Sequence, residues 1–169
     1  MTGRPRAILF LDRDGTLMED VGYPNDPAQV RLLPGAAEAI RRLADAGFVP
    51  VVVSNQSGLA RGLITPEQAD AVHRRFVEVF RVSSGLTLPC YYCPHGPDDG
   101  CDCRKPAPGL LLRAVNELEL AGLPGIMVGD KPSDVKAGQA AGCAGLLFDG
   151  DWSTKADTLT HWLQKQRKA

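Results

Sequence analysis

Five short apolar runs, at residues 7–11, 48–54, 88–92, 125–128 and 145–148, alternate with segments of helical periodicity at 35–46, 66–83, 108–120 and 133–141. This alternation constrains the fold more than any other feature of the chain. The runs are too short for helices and nearly all apolar, as strands buried on both faces are. They predict a parallel sheet sandwiched between helices. Right-handed crossovers then give a doubly wound, mostly parallel α/β sheet of Rossmann-like type. Boundary signals agree: Thr65-Pro66-Glu67 reads as a helix cap with proline at the first position, and Gly47 and Gly142 stand where helices close. Ser133-Asp134 after Pro132 opens a further helix, and a last one is expected at 154–166, ending in a basic tail. No repeat, low-complexity tract or linker divides the 169 residues, which predicts one domain.

In such sheets ligands sit beyond the carboxyl ends of the strands, near the topological switch. Every polar motif of this chain follows a strand. The first run ends in Asp12-Arg13-Asp14-Gly15-Thr16. Side chains alternate along extended backbone, so Asp12 and Asp14 are expected on one face with Arg13 pointing away. Crowded carboxylates invite a divalent cation, and one of them can act as nucleophile while the other moves protons. Ser54-Asn55-Gln56-Ser57-Gly58 ends the second run and offers a hydroxyl, amides and backbone N–H groups to a phosphate. Cys103-Arg104-Lys105-Pro106 places two cations before a helix, and Gly129-Asp130-Lys131-Pro132-Ser133-Asp134 brings fresh carboxylates after the fourth run. Singly, each fragment is an ordinary turn, cap or surface charge. Together on one sheet edge they point to phosphoryl chemistry.

These four motifs, in this order, resemble the haloacid dehalogenase superfamily of phosphatases over nearly the whole chain. The matching residues are Asp12-Arg13-Asp14-Gly15-Thr16, Ser54-Asn55, Lys105, and Gly129-Asp130 with Asp134. The resemblance implies that Asp12 is the nucleophile, forming an aspartyl-phosphate, and that Asp14 is first acid, then base. It implies Mg²⁺ held by the Asp12 carboxylate, the Asp14 backbone carbonyl and Asp130. Ser54 and Lys105 complete the catalytic set by cancelling charge on the phosphoryl oxygens. Asp14 must meet the substrate protonated, so anions are expected around it. The chain departs from the family in having serine at position 54, where threonine is commoner. It has no room for the large cap domain that many members insert, so loops 19–27 and 58–62 are left to choose the substrate.

Cys93-Pro94-His95 and Cys101-Asp102-Cys103 bracket a five-residue loop rich in glycine, proline and aspartate. Cys93, His95, Cys101 and Cys103 complete a tetrahedral Zn²⁺ shell. A cytoplasmic, reducing location disfavours disulfides, and a catalytic cysteine is disfavoured because carboxylates already supply the nucleophile. Four protein ligands close the site, which makes this zinc structural. Its expected task is to hold Arg104 and Lys105 against the phosphate. Cys90 and Cys143 read as packed thiols, and His73 and His161 as surface or packing residues on helices.

Within the superfamily, a loop of this pattern resembles two groups, the phosphatases of heptose bisphosphates and the histidinol phosphatases. The turn from Ser54 to Gly62 is similar to the first group, because the second tends to carry aspartate where Ser57 stands and lacks Ala60-Arg61-Gly62. Asp20-Val21-Gly22-Tyr23 is also similar to the heptose group. The resemblance implies a small-molecule sugar bisphosphate as substrate, in nucleotide-heptose biosynthesis, with the anomer left open. Asp20, Tyr23, Ser54, Asn55, Gln56, Ser57, Arg61, Arg104 and Lys131 are the expected substrate-binding residues. Arg61, Arg104 and Lys131 exceed what one phosphate needs, which favours a second anionic group or a polyhydroxylated sugar.

The remaining expectations are exclusions. A net charge of −1 gives no basic footprint for nucleic acid. No apolar run approaches a membrane span, and the short polar start lacks a signal-peptide core, so the cytoplasm is expected. A monomer is expected, since no apolar surface stripe asks for a partner. A receiver-like domain is disfavoured because its phosphorylated aspartate belongs after the third strand, where this chain has Cys93. An inactive zinc-binding scaffold is disfavoured because every catalytic position is filled.

Overall fold

In the computed structural model, which describes residues 4–166, each apolar run becomes a strand. These are β1 Ala7–Leu11, β2 Phe48–Asn55, β3 Cys90–Cys93, β4 Gly125–Gly129 and β5 Ala144–Leu147. The helices are α1 Ala36–Asp45, α2 Pro66–Ser84, α3 Gly109–Glu117, α4 Pro132–Ala140 and α5 Trp152–Lys165. One 3-10 turn, Pro27–Gln29, was not anticipated; Asp26 caps it by accepting the Ala28 N–H. The basic residues Arg167 and Lys168 lie outside the described part.

All strand pairs are parallel and the order is β3-β2-β1-β4-β5. The chain winds outward from β1 through β2 to β3, then returns to place β4 on the other side of β1. The topological switch therefore falls between β1 and β4.

Strand β1 is buried from end to end, and its pleat divides the core. Ala7, Leu9 and Leu11 face one layer with residues of α1, α2 and α5, while Ile8 and Phe10 face the other with α3 and Ala137 of α4. The expectation of strands buried on both faces holds for β1 and β4 and, nearly, for β2. It fails at the edges, where β3 is mostly half-buried and Gly145 and Leu147 of β5 are exposed. An edge strand has a neighbour on only one side and is less covered by the helix layers.

Two local features fix the layers. Thr65 caps α2 reciprocally, its hydroxyl accepting the Gln68 N–H while the Gln68 side chain accepts the Thr65 N–H. Trp152, fully buried at the start of α5, donates its indole N–H to the Thr16 carbonyl at 2.7 Å. Among the described residues no helix is long and apolar enough to cross a membrane.

Candidate active site

Register brings the motifs together. Leu11 is level with Val52 of β2 and with Val128 of β4, so Asp12, Ser54 and Asp130 all leave the sheet at one edge, beside the switch. The Asp12 N–H donates to the Val128 carbonyl at 3.0 Å and extends the ladder by one residue beyond β1. Lys105 arrives from the loop before α3 and is 4% exposed. Its Nζ donates to Asp12 Oδ1 and to the Val53 carbonyl, each at 2.8 Å, and pairs with Asp134 Oδ1 at 2.6 Å. Asp134 lies in the first turn of α4, where its other oxygen accepts the Lys131 N–H at 3.0 Å. Two glycines make the room. A Cβ at Gly15 would stand 2.5 Å from Asp130 Oδ2, and one at Gly129 would stand 2.2 Å from Asp134 Oδ2.

Carboxylate oxygens of Asp12, Asp130 and Asp134 lie within 4.8 Å of one another. Of these three acids, Asp12 and Asp134 share the buried Lys105 ammonium, and Asp130 has no ion pair with it. Burial pushes the Asp130 pKa above the usual range, Asp12 adding to the effect and Lys131 opposing it. Burial likewise pushes Asp134 up against the pull of Lys105. For Lys105 burial opposes the charge, but Asp12 and Asp134 outweigh it and hold its pKa above the ordinary value. Asp130 Oδ1 is buried with no hydrogen-bond partner among the described residues. A hard divalent cation answers both the excess of carboxylates and the orphan oxygen, so these residues fit Mg²⁺.

A second cluster stands beside the first. Donor atoms of Cys93, His95, Cys101 and Cys103 lie within 4.8 Å of one another. Their sulfurs are 3.2, 3.5 and 3.7 Å apart, and His95 Nδ1 is 3.3 Å from Cys103 Sγ and 3.5 Å from Cys93 Sγ. Four soft donors converging this closely outside any helix fit a closed tetrahedral zinc shell. Burial pushes the Cys93 thiol up to about 12. Burial acts the same way on Cys101, but the Arg104 N–H and the neighbouring thiols outweigh it and bring that group down to about 7. One member of the set therefore ionises readily, as a metal ligand must.

Between and above the clusters opens a polar cavity of about 620 Å³, with Asp12, Asp14, Ser54, Lys105 and Asp134 among its lining residues. Residues 19–142 match the family model described as haloacid dehalogenase-like hydrolase. The chain belongs to the haloacid dehalogenase-like hydrolases. This hydrolase is 42% identical over 144 residues to the D-glycero-beta-D-manno-heptose-1,7-bisphosphate 7-phosphatase of Pseudomonas aeruginosa, covering 84% of this chain and 80% of the relative. It is 37% identical over 172 residues to the enzyme of the same name from Haemophilus ducreyi, covering 94% of each. Its fold matches the crystal structure of D,D-heptose 1,7-bisphosphate phosphatase from Bordetella bronchiseptica complexed with magnesium and phosphate. That match has a TM-score of 0.79 and 34% identity, over 92% of this chain and 98% of the other.

The hydrolase brings most of the expected substrate-binding residues to the cavity wall: Asp20, Tyr23, Ser54, Asn55, Gln56, Ser57, Arg104 and Lys131. Arg61 is the exception. It is exposed on the turn after β2 and does not line the cavity, so it is not positioned with the surplus cations. Lys131 is itself paired with Asp20 at 3.1 Å, and Arg104 donates to the His95 carbonyl at 3.1 Å. Asn55 makes a two-point clamp, its Oδ1 accepting the Lys105 N–H and its Nδ2 donating to the Lys105 carbonyl, each at 3.0 Å.

Two expectations about the first motif are corrected. Arg13 does not point away from Asp14; its Nε and Nη2 donate to Asp14 Oδ1 and Oδ2, both at 3.0 Å. The strict alternation fails because β1 ends at Leu11 and the chain is already turning at Asp14. For the same reason the nearest charged partner of Asp14 is a guanidinium, not the anions expected. Asp134 was read as a family match but not as part of the ion site, because a carboxylate in a first helical turn looks like a cap. Here it does both.

Proposed function

We propose that this phosphatase removes the 7-phosphate of D-glycero-β-D-manno-heptose 1,7-bisphosphate through an aspartyl-phosphate on Asp12. The observation that carries the reading is the convergence of Asp12, Lys105 and Asp134 on the wall of an open polar cavity, with Asp130 close to both aspartates. The names of the relatives support the substrate and its β anomer.

An Asp12 oxygen attacks phosphorus, and the bond from phosphorus to the sugar oxygen breaks. Asp14 gives its proton to the departing alkoxide. It then takes a proton from water, which attacks the acyl phosphate, frees Asp12 and leaves inorganic phosphate. Ser54 and the Lys105 ammonium offset charge on the equatorial oxygens. Asp12, Asp130 and the Asp14 carbonyl would hold Mg²⁺, with Asp134 close by; the ion supplies Lewis-acid charge stabilisation there. Cys93, His95, Cys101 and Cys103 would hold Zn²⁺ and keep Arg104 and Lys105 in place. Asp20, Tyr23, Asn55, Gln56, Ser57, Arg104 and Lys131 are the surface offered to the sugar and its second phosphate. In this reading the enzyme is a single-domain monomer of the cytoplasm, in nucleotide-heptose biosynthesis.

The test is phosphate release, with Mg²⁺, from both heptose 1,7-bisphosphate anomers beside histidinol phosphate, with Asp12→Asn as control. Preference for the β anomer is expected. Preference for histidinol phosphate overturns the substrate and leaves the chemistry; release by Asp12→Asn at the wild-type rate overturns the nucleophile.

A further inference from the structure

Arg13 is 2% exposed, and its guanidinium is held by hydrogen bonds from Nε and Nη2 and by an aromatic ring. Two of its N–H groups grip both oxygens of Asp14. Nη2 also donates to Gln56 Oε1 at 3.0 Å, and Gln56 Nε2 donates in turn to Asp14 Oδ2 at 2.9 Å and to Ser54 Oγ at 3.1 Å. On the far side the Tyr92 ring lies 5.3 Å from the guanidinium carbon. The Tyr92 hydroxyl is 2.9 Å from His73 Nδ1, and the two rings meet edge to face at 5.2 Å. One side chain is thereby tied to the turn after β2 and to β3, and through Tyr92 to α2, and presents a planar fork to its own neighbour.

A buried ion pair stabilises a fold weakly, because desolvation offsets most of the attraction. Its advantage is directional, since the guanidinium fork fixes the plane and rotation of a carboxylate as an ammonium does not. Asp14 Oδ2 accepts two hydrogen bonds and Oδ1 only one, so Oδ1 keeps a free position for a proton.

We propose that Arg13, seated on Tyr92 and tied to Gln56, is a positioning residue that holds Asp14 with Oδ1 free to pass its proton to the leaving sugar oxygen. The inference rests on the acid role given to Asp14 above. Arg13 touches no reacting atom. It acts through the angle at which Asp14 meets the departing alkoxide.

The experiment compares two substrates in single turnover with the full chain and Mg²⁺. Heptose 1,7-bisphosphate expels an alkoxide that needs a proton, whereas p-nitrophenyl phosphate expels a phenolate that does not. Arg13→Lys keeps the charge and removes the fork. It is expected to slow the sugar phosphate about tenfold or more, with KM little changed and the nitrophenolate burst within about twofold of wild type. An equal loss on both substrates, or no loss on the sugar phosphate, overturns the inference. Should Arg13→Lys not fold, Tyr92→Leu retains both charges and removes the support; a loss of about threefold or more, confined to the sugar phosphate, is expected, and any other pattern counts against positioning. Asp14→Asn is run alongside. If it slows both substrates equally, the acid role falls and the inference with it; if it is selective while Arg13→Lys is not, the inference alone falls.

Discussion

The two candidate metal clusters lie side by side and are built in opposite ways. Asp12 and Asp130 stand at the ends of central strands whose backbone hydrogen bonds are complete and whose side chains are buried on both faces. Their positions follow from the sheet. Only Cys93 of the thiol cluster ends a strand, and that strand is an edge; His95 and Cys101 lie in irregular backbone and Cys103 in a bend. Their convergence has no ladder behind it and fits a segment that a bound ion organises. Lys105 joins the two, two residues beyond Cys103 and in contact with Asp12 and Asp134. A group on which the sheet site depends is therefore delivered by the loop that the sheet does not hold.

The largest expected effect lies wholly on the sheet side. Asp12→Asn should lower phosphate release by about a thousandfold or more while circular dichroism keeps its α/β signature. Next comes the dependence of one cluster on the other. Removing the zinc proposed for the loop by a chelator, with Mg²⁺ restored afterwards, or by Cys103→Ser, should cost about a hundredfold in turnover through displaced Lys105. Full activity with zinc content at zero would mean that the sheet alone positions the lysine. Asn55→Ala, which removes the clamp on the Lys105 backbone, is expected to cost about tenfold in kcat, the effect of losing one or two hydrogen bonds. An unchanged kcat would make Asn55 a substrate contact or a bystander.

The smallest effect falls in the layer behind Asp14. Burial, with the nearby Arg13 charge, lowers the His73 pKa below its ordinary 6.5. As pH falls below 6.5 the unfolded chain takes up a proton that folded His73 does not, so stability declines until the lower, folded pKa is passed. Thermal melts between about pH 7.5 and 5 should fall less steeply in His73→Gln than in the wild type. Parallel curves would remove His73 as a contributor.

The sheet was legible because apolar runs of strand length with turn signals leave few alternatives, and the polar motifs were legible because each follows a strand. Legibility weakened where those rules stop. At β3 the run from 88 to 92 was expected, but pairing begins at Cys90, since Pro89 has no N–H and contributes only its carbonyl to Val52. The last helix begins at Trp152, two residues before the expected start, because the Asp151 side chain caps it by accepting the Ser153 and Thr154 N–H groups. Arg13 was misdirected because alternation applies only inside a strand. Arg61 was misplaced because the direction of a side chain in a turn depends on the turn's backbone, which the residue types there leave undetermined. The pairing of Gln56 with Asp14 and Ser54 has no local signal, since it joins separate segments through an amide whose partners only the fold supplies.

The hydrogen bond from Trp152 to the Thr16 carbonyl also has a bearing on time. A ribosome releases the amino end first, at about 5 to 20 residues per second, and the two partners are 136 positions apart. At those rates the Thr16 carbonyl waits roughly 7 to 27 seconds for its indole donor. During synthesis Asp12 is thus present long before the indole that closes this contact.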